Sequence, residues 1–403
     1  MTAVPPAHTK GTAVTSHPSS TISGSLQASV PALPIGVGIV GLSATAGWAS
    51  MAHVPALAAL PHAFELRALT ATSAESAKAA GQKFGIARTF GDAEEMVTQD
   101  EVDLVVVSVK VPHHLELVTA ALTAGKHVLS EWPLGNGTAE AEKLAALAVS
   151  RKVRGFVGLQ ARLAPPVRYL RDLVADGYVG QVLSTSVIAS GPHWGATFDD
   201  RHAYMADRAN GATMMSIPFG HTMDGLASVL GEFTELSATL ANRHTELRNK
   251  TTGQTIPSNV DDQIAVTGIL ETGAVAAVHY RGGVARSTNF LWEINGTEGD
   301  LLVTGKSGHL QFGQITIQGA RGEVRQLSDL PVPAHYDTSV PALADARHTM
   351  AYTVAHAYAQ LHSDLTKNVH TVPDFNHAVR HHRFLDLILA AAATGQRQHI
   401  GGQ

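Results

Sequence analysis

The sequence predicts an α/β protein: an N-terminal doubly wound parallel sheet, then a C-terminal α+β domain on a large, mostly antiparallel open sheet. Three observations predict it. The apolar run Ile35 to Val40 ends in a turn of small residues, Gly41 to Gly47, and helix-forming sequence follows from Trp48. Strand-like and helix-like segments then alternate to about residue 159, the pattern of right-handed βαβ crossovers. Beyond it, strand-like segments are joined by short turns such as Glu271-Thr272-Gly273 and Gly296-Thr297-Glu298-Gly299.

Each element of the first half has a local reason. Phe64 to Thr70 reads as the second strand, and Ser73 to Phe84 as a helix stopped by Gly85. Asp92 to Gln99 reads as a short helix. Val102 to Val109 is apolar and β-branched, as expected of a strand buried on both faces. His114 to Ala124 reads as a helix closed by Gly125, His127 to Glu131 as a strand, Thr138 to Arg151 as a helix, and Val153 to Leu159 as the last strand. Ligands of such sheets bind at the carboxyl ends of the strands, which are Gly41 to Gly47, Thr70 to Ser73, Val109 to His114 and Glu131 to Pro133.

In the second half, strands are expected at Val182 to Ser190, Gln263 to Leu270, Ala274 to Tyr280, Asn289 to Asn295, Gly299 to Val303 and Leu310 to Ile317. Helices are expected at Pro166 to Asp176, Gly220 to Leu230, Asp345 to Lys367 and Asp374 to Thr394. The domain division is then a tail over 1–33, a dinucleotide-binding domain over 34–158 and a substrate and oligomerisation domain over 159–403.

Composition narrows the function. The 403 residues are 44% hydrophobic with a formal net charge of −5. No long Lys/Arg stripe marks a nucleic-acid surface. No cysteine is present, so disulfides and thiolate metal sites are excluded and a cytoplasmic protein is expected. No apolar run reaches the ~18–20 residues of a membrane helix. Residues 1–33 are rich in Ser, Thr, Pro and Ala, hold Lys10 as their only Lys or Arg, and lack the layout of a secretory signal. They read as a disordered tail, with an arm docking on a partner subunit as the alternative. Among the 22 histidines, His113-His114 and His381-His382 are adjacent pairs, not helix-spaced ligands, so no functional metal is expected.

The turn Gly41-Leu42-Ser43 with Gly47-Trp48, the segment Val102 to His114, the run Ala124-Gly125-Lys126-His127-Val128-Leu129-Ser130-Glu131-Trp132-Pro133, and the His221 region carry a resemblance. Over roughly residues 34–400 the chain resembles the Gfo/Idh/MocA oxidoreductase family, with a Rossmann-like first domain. Glu131-Trp132, Leu159-Gln160 and Phe219-Gly220-His221-Thr222 with Asp224 look most like the branch containing the yeast galactose-pathway repressor. That repressor binds a nicotinamide nucleotide but regulates, so membership alone does not imply catalysis.

The resemblance assigns a nucleotide to the turn. Its glycine pattern departs from Gly-x-Gly-x-x-Gly: Ser43 stands at the second Gly, and Gly47 comes one place late. Gly41, Ser43, Thr45, Ala46, Gly47 and Trp48 are the expected phosphate-side contacts, with the Ser43 and Thr45 hydroxyls adding to backbone N–H groups. Where NAD-preferring enzymes carry an acidic residue, this chain has Ala71, followed by Thr72 and Ser73. Without a carboxylate to repel a 2′-phosphate, NADP(H) is favoured over NAD(H). Val109, His114, Glu131, Trp132, Gln160 and Arg162 complete the expected cofactor contacts.

Hydride transfer at an alcohol carbon needs a group to take the hydroxyl proton. In the family a Lys within Glu-Lys-Pro and a His at a second-domain helix flank that carbon. Here the motif is Glu131-Trp132-Pro133, and an indole exchanges no proton at neutral pH. His221 matches the family histidine, although Ile217 stands where the family has an Asp, and Pro218-Phe219-Gly220 implies a remodelled turn. His221 is the expected acid/base, with Lys110 as a second proton-handling group. His193, Trp194, Tyr204 and Asp224 are expected at the substrate; for Arg162, a structural salt bridge is the alternative to binding.

Two functions follow. The first is an NAD(P)-dependent oxidoreductase on a secondary alcohol or ketone of a sugar, polyol, glycoside or similar small molecule, acting as a homodimer or homotetramer. The second is a catalytically inactive nucleotide-sensing regulator. Trp132 favours the second; His221 and Lys110 favour the first, which is the preferred reading.

Overall fold

The computed structural model describes residues 34–401, so the tail expected over 1–33 lies outside the described residues. The first domain is a six-stranded parallel sheet. Its strands are β1 (Ile35–Val40), β2 (Phe64–Thr70), β3 (Arg88–Phe90), β4 (Leu104–Val107), β5 (His127–Glu131) and β6 (Gly155–Gly158), in the order β3-β2-β1-β4-β5-β6. β1 and β4 are buried along their whole length, which explains their uninterrupted apolar sequences. The strand order reverses at β1, so a crevice opens between the carboxyl ends of β1 and β4.

Five helices link these strands: α1 (Val54–Ala58), α2 (Ala74–Phe84), α3 (Ala93–Val97), α4 (His114–Thr123) and α5 (Thr138–Arg151). A π-helical turn, Ala49–His53, leads into α1. Ser73 caps α2 by accepting from Ser76 N at 3.2 Å, and Gly85 ends it in the left-handed region at φ 72°. Asp92 caps α3 in the same way.

The second domain carries α6 (Pro165–Ala175), β7 (Val182–Gly191), β8 (Thr197–Phe198), α7 (Gly220–Leu230), β9 (Phe233–Ala241), β10 (Glu246–Asn249), β11 (Thr255–Pro257), β12 (Gln263–Leu270), β13 (Val275–Gly282), β14 (Phe290–Gly296), β15 (Gly299–Gly305), β16 (Ile315–Arg321), β17 (Ser328–Asp329), α8 (Met350–Lys367), α9 (Phe375–Thr394) and β18 (Gln398–His399). Nine strands form the large sheet, in the order β17-β16-β15-β14-β7-β13-β12-β9-β18. All its pairs are antiparallel except β7 with β13. β8, β10 and β11 make a separate small sheet.

The sheet's inner face is core: Trp292 is fully buried, and its indole N–H donates to Thr185 Oγ1 at 2.8 Å. Helix α8, late in the chain, returns to the first domain, where Val354, Tyr358 and Leu361 share a core with Ile35, Ile39 and Phe64.

Two expectations need correction. Leu310–Phe312 is a 3₁₀ turn, and β16 begins only at Ile315, because Gly313 takes φ 66° and breaks the strand. The helix expected from Asp345 starts at Met350. No helix among the described residues is long and apolar enough to cross a membrane.

Candidate active site

The crevice begins at Gly41, whose φ of 94° suits glycine. β1 and β4 run in register through Val40 and Val107, which sets Gly41 against Ser108. A Cβ at Gly41 would lie 2.5 Å from Ser108 O and 2.7 Å from Val109 Cγ1. The N–H groups of Gly41 and Leu42 both donate to Thr70 O, at 3.1 and 3.0 Å, so the turn is tied to the end of β2. Gly47, at φ 121°, has nothing within 4 Å of where a Cβ would stand. A tight glycine entry, an open glycine exit and a helix beginning at once form a cradle that fits a dinucleotide pyrophosphate.

Within the turn, Ser43 Oγ and Thr45 Oγ1 lie 3.3 Å apart, and Thr45 N donates to Ser43 Oγ at 3.3 Å. Lys83, from the far end of α2, donates its ammonium to Ala44 O at 2.6 Å. Sequence reading missed this cation, since no local pattern links Lys83 to the turn. Ala46, in the same turn, is half-buried. Trp48 stacks on Phe312 with centroids 5.9 Å apart, and its buried Nε1 has no partner. At the end of β2, Thr72 is exposed, whereas the Ser73 hydroxyl is used in capping α2.

Several expected contacts serve the scaffold. The ring nitrogens of His114 lie 2.9 Å from Pro133 O and 3.1 Å from Val109 O, so either N–H donates to backbone. Burial pushes this imidazole's pKa down. Trp132 is 4% exposed and precedes a cis Pro133. Its Nε1 donates to Ser216 O at 2.6 Å, and its ring packs on His381 and His382. Arg162 grips buried Asp224 with Nε and Nη2 at 2.9 and 2.8 Å, and His377 Nε2 lies 2.6 Å from the same carboxylate. Burial would raise that carboxyl's pKa, but Arg162 and His377 outweigh it and hold it well below the usual range. The salt-bridge alternative for Arg162 is therefore the geometry found, and Asp224 is its partner.

Glu131 turns inward from β5. His53 Nε2 lies 2.9 Å from Glu131 Oε1, and His53 Nδ1 lies 2.8 Å from the Tyr358 hydroxyl. A Cβ on Gly158 would come within 2.8 Å of that carboxylate, so the glycine makes room for it. Gln160 lines the same small cavity, and its buried Oε1 has no partner. His53 and Tyr358 were not among the expected residues; they come from segments remote from any motif.

His221 sits in the first turn of α7, directly after a π-helical turn, Met215–Phe219, which is the remodelled segment the sequence implied. It is 4% exposed and its Nδ1 has no partner. Burial pushes its pKa down to about 4, although Glu131 and Asp224 favour the charged form. The imidazole is thus neutral near pH 7 and able to accept a proton. Lys110 lies at the exposed rim, its ammonium 4.5 Å from the centroid of the Tyr204 ring. This contact joins the β4 loop of the first domain to a loop of the second. Trp194 is buried, with Nε1 donating to Ala212 O at 3.4 Å, and exposed His193 stacks on His202 at 4.3 Å. His309 is a second buried imidazole in the region, between Trp194 and Phe312.

Comparison with known proteins agrees with this layout. Residues 35–159 match the family model described as oxidoreductase family, NAD-binding Rossmann fold, and residues 165–305 match that of the Gal80p C-terminal domain. The chain is 35% identical over 291 residues to dehydrogenase aclE of Aspergillus oryzae, covering 68% of this chain and 77% of that protein. It is 27% identical over 371 residues to the galactose/lactose metabolism regulatory protein GAL80 of Saccharomyces cerevisiae, covering 85% of each. A levoglucosan dehydrogenase solved with NADH and L-sorbose superposes with a TM-score of 0.78 at 20% identity, over 92% of this chain and 100% of that one.

Proposed function

Since the chain belongs to the Gfo/Idh/MocA oxidoreductase family, we propose that it is an NAD(P)-dependent dehydrogenase or reductase. Its substrate on this reading is a secondary alcohol or ketone of a sugar, polyol, glycoside or similar compound. The observation that carries the reading is His221: a buried, neutral imidazole with an unpartnered Nδ1, on the helix that faces the β5 end of the crevice. The nucleotide, when bound, supplies or accepts the hydride. Gly41, Ser43, Thr45 and Gly47 with Lys83 hold its phosphates. His221 takes the hydroxyl proton in the oxidising direction and returns it in the reducing one. Lys110 assists from the rim, and the domain contact through Tyr204 shields the site. Dehydrogenase relatives, aclE among them, support the enzyme reading.

NADP(H) is favoured over NAD(H). Residues 71–73 present no carboxylate, and exposed Thr72 offers a hydroxyl to a 2′-phosphate. Titration of both nucleotides followed by calorimetry tests this; tighter NAD(H) binding overturns it.

The second reading, a nucleotide-sensing regulator, is favoured by Trp132, which stands buried where a proton-carrying lysine is expected. Turnover with NAD(P)⁺ or NAD(P)H across sugars, polyols and ketones, lost in His221→Ala, supports the enzyme. Tight nucleotide binding with no turnover supports the regulator.

The assembly proposed is a homodimer or homotetramer through the outer face of the large sheet. That face exposes Leu183 and Ile188 on β7 and Val275 on β13, beside the small residues Ser184, Ser186 and Ala277.

A further inference from the structure

We propose that the groove between α3 and α4 is a docking surface for a basic amphipathic helix of another protein. The surface belongs to the first domain, lies outside the crevice and goes beyond the oxidoreductase reading.

The starting observation is the composition of α4. Between His114 and Thr123, Glu116 is its only Asp, Glu, Lys or Arg. The first domain's other long helices carry Glu75, Lys78 and Lys83 on α2, and Glu140, Glu142, Lys143 and Arg151 on α5. A surface helix normally turns such a charged stripe to water. On α4 the buried face is Val118, Ala121 and Leu122, yet Leu115, Leu117 and Ala120 remain partly exposed. The helix thus keeps apolar surface that nothing among the described residues covers. Its flank borders a groove of about 690 Å³ against α3. Val97, Pro112, Leu115 and Ala120 supply apolar lining, and Thr119 and Ala124 are short enough to let another helix lie close.

Charge decides which helix fits. Every charged residue lining the groove is acidic: Glu94, Glu116 and Glu140. Each stands in the first turn of its helix, so all three gather at the end of the groove nearest the carboxyl ends of the strands. Residues 92–101, which contain α3, add Asp92, Glu95, Asp100 and Glu101 and hold no Lys, Arg or His. Glu140 is engaged, since Asn136 N donates to its Oε2 at 2.7 Å. Glu94 and Glu116 are exposed, and neither carboxylate is held by another described residue. An apolar strip beside unpaired acids repels an acidic partner and matches a helix with an apolar face flanked by Lys or Arg. A second copy of this chain, with a formal net charge of −5, brings the wrong sign.

The test uses the full chain and three designed peptides with blocked ends. The first places leucines on one helical face and lysines on the rest. The second replaces the lysines by glutamines. The third keeps the composition of the first but scatters its leucines around the helix. Binding is followed by fluorescence anisotropy at physiological salt, and the contact surface by hydrogen exchange. The expected result is binding of the first peptide about tenfold or more tighter than of the other two, with new protection over residues 112–124. Glu94→Gln with Glu116→Gln weakens it about fivefold or more, and Thr119→Arg, which fills the groove and adds a cation, abolishes it. Glu246→Gln with Glu323→Gln, two exposed acids of the second domain, changes it by less than about twofold. No binding, equal binding of the scattered peptide, equal loss in the two glutamine pairs, or protection confined to other segments overturns the proposal. Protection over 112–124 in the free protein that fades on dilution assigns the face to a second copy and overturns it as well. None of these readouts involves turnover, so the oxidoreductase reading stands or falls separately.

Discussion

The indole N–H of Trp132 donates to the backbone carbonyl of Ser216 at 2.6 Å, and this one bond joins the carboxyl end of β5 to the turn that launches His221. A lysine at this position would bring an ammonium into a pocket walled by His381 and His382. Burial and, for His382, the neighbouring His381 push those imidazoles down to about 4 and 3. A pocket that keeps two histidines uncharged is hostile to an ammonium. Trp132 instead forms a fixed seam between the domains.

The first prediction concerns that seam. Trp132→Phe keeps most of the packing but removes the hydrogen bond to Ser216 O, a loss of about 0.5–1.5 kcal/mol. Trp132→Lys loses the ring as well and is expected to be the more damaging. Urea midpoints should rank wild type above Trp132→Phe above Trp132→Lys. A Trp132→Lys protein as stable as wild type would show that the pocket is wetter than its geometry implies.

The second concerns pH. Folded-state pKa values of about 4 for His221, His356 and His381, and about 3 for His309 and His382, lie below the ordinary 6.5 of an unfolded chain. Between those limits the unfolded state binds more protons than the folded one, so stability rises with pH through this window and is lost as pH falls from about 6.5 toward 4. Each histidine contributes up to about 1.4 kcal/mol per pH unit there. Denaturant titrations at pH 7, 6 and 5 should show the fall, and His382→Gln should make it shallower. A stability profile flat from pH 7 to 5 contradicts this.

How much of this was legible in the sequence depends on whether the signal was local. β2, β5, α5 and α7 run over the stretches expected, because short apolar segments bounded by turn residues and helix stops announce themselves within a few residues. β9 is absent from the expected strands although Glu235 to Leu240 alternates polar and apolar residues; the alternation breaks only at Thr234, where the pairing with β12 shifts register. The 3₁₀ turn at Leu310 was read as strand because its apolar residues run on into β16. His221 and the Gly41 turn carry motif signals. The partners that define the site, His53 on Glu131, Lys83 on Ala44 and His377 on Asp224, come from remote segments and have no sequence pattern to betray them.

The third prediction separates structure from binding at Arg162. Arg162→Met leaves the buried Asp224 carboxylate with His377 as its remaining side-chain partner, and breaking one side of a buried pair costs up to about 3–5 kcal/mol. The double variant Arg162→Met with Asp224→Asn removes the buried charge that His377 alone must then offset and should recover part of that loss. If Arg162 instead held the nucleotide, the double variant would fold well and bind it poorly. Thermal melts with nucleotide titration distinguish the two.

The fourth prediction addresses the proton-carrying groups. His221→Ala should lower kcat by about 10²–10⁴-fold, the usual worth of a placed acid/base, with nucleotide affinity little changed. Lys110→Met removes both the rim ammonium and its contact with the Tyr204 ring, which is worth about 0.5–1 kcal/mol at an exposed site. If Lys110 carries a proton, kcat falls and its pH profile moves. If it only latches the two domains, KM rises a few-fold, the profile stays, and Tyr204→Leu reproduces the effect.

The last prediction tests the open sheet face. Leu183, Ile188 and Val275 are 52%, 40% and 55% exposed, on the neighbouring strands β7 and β13. Apolar side chains gathered on a flat, small-residue surface gain about 25 cal/mol for each Å² removed from water when a second copy covers them. Charges placed there resist that burial, because desolvating an unpaired ion costs several kcal/mol. Ile188→Lys with Val275→Glu should therefore shift the particle to half its mass or less in sedimentation while leaving the core side of both strands, Val187 and Ala276, undisturbed. Wild-type protein sedimenting as a monomer at micromolar concentration would refute the assignment, and a charged variant of unchanged mass would move the interface elsewhere.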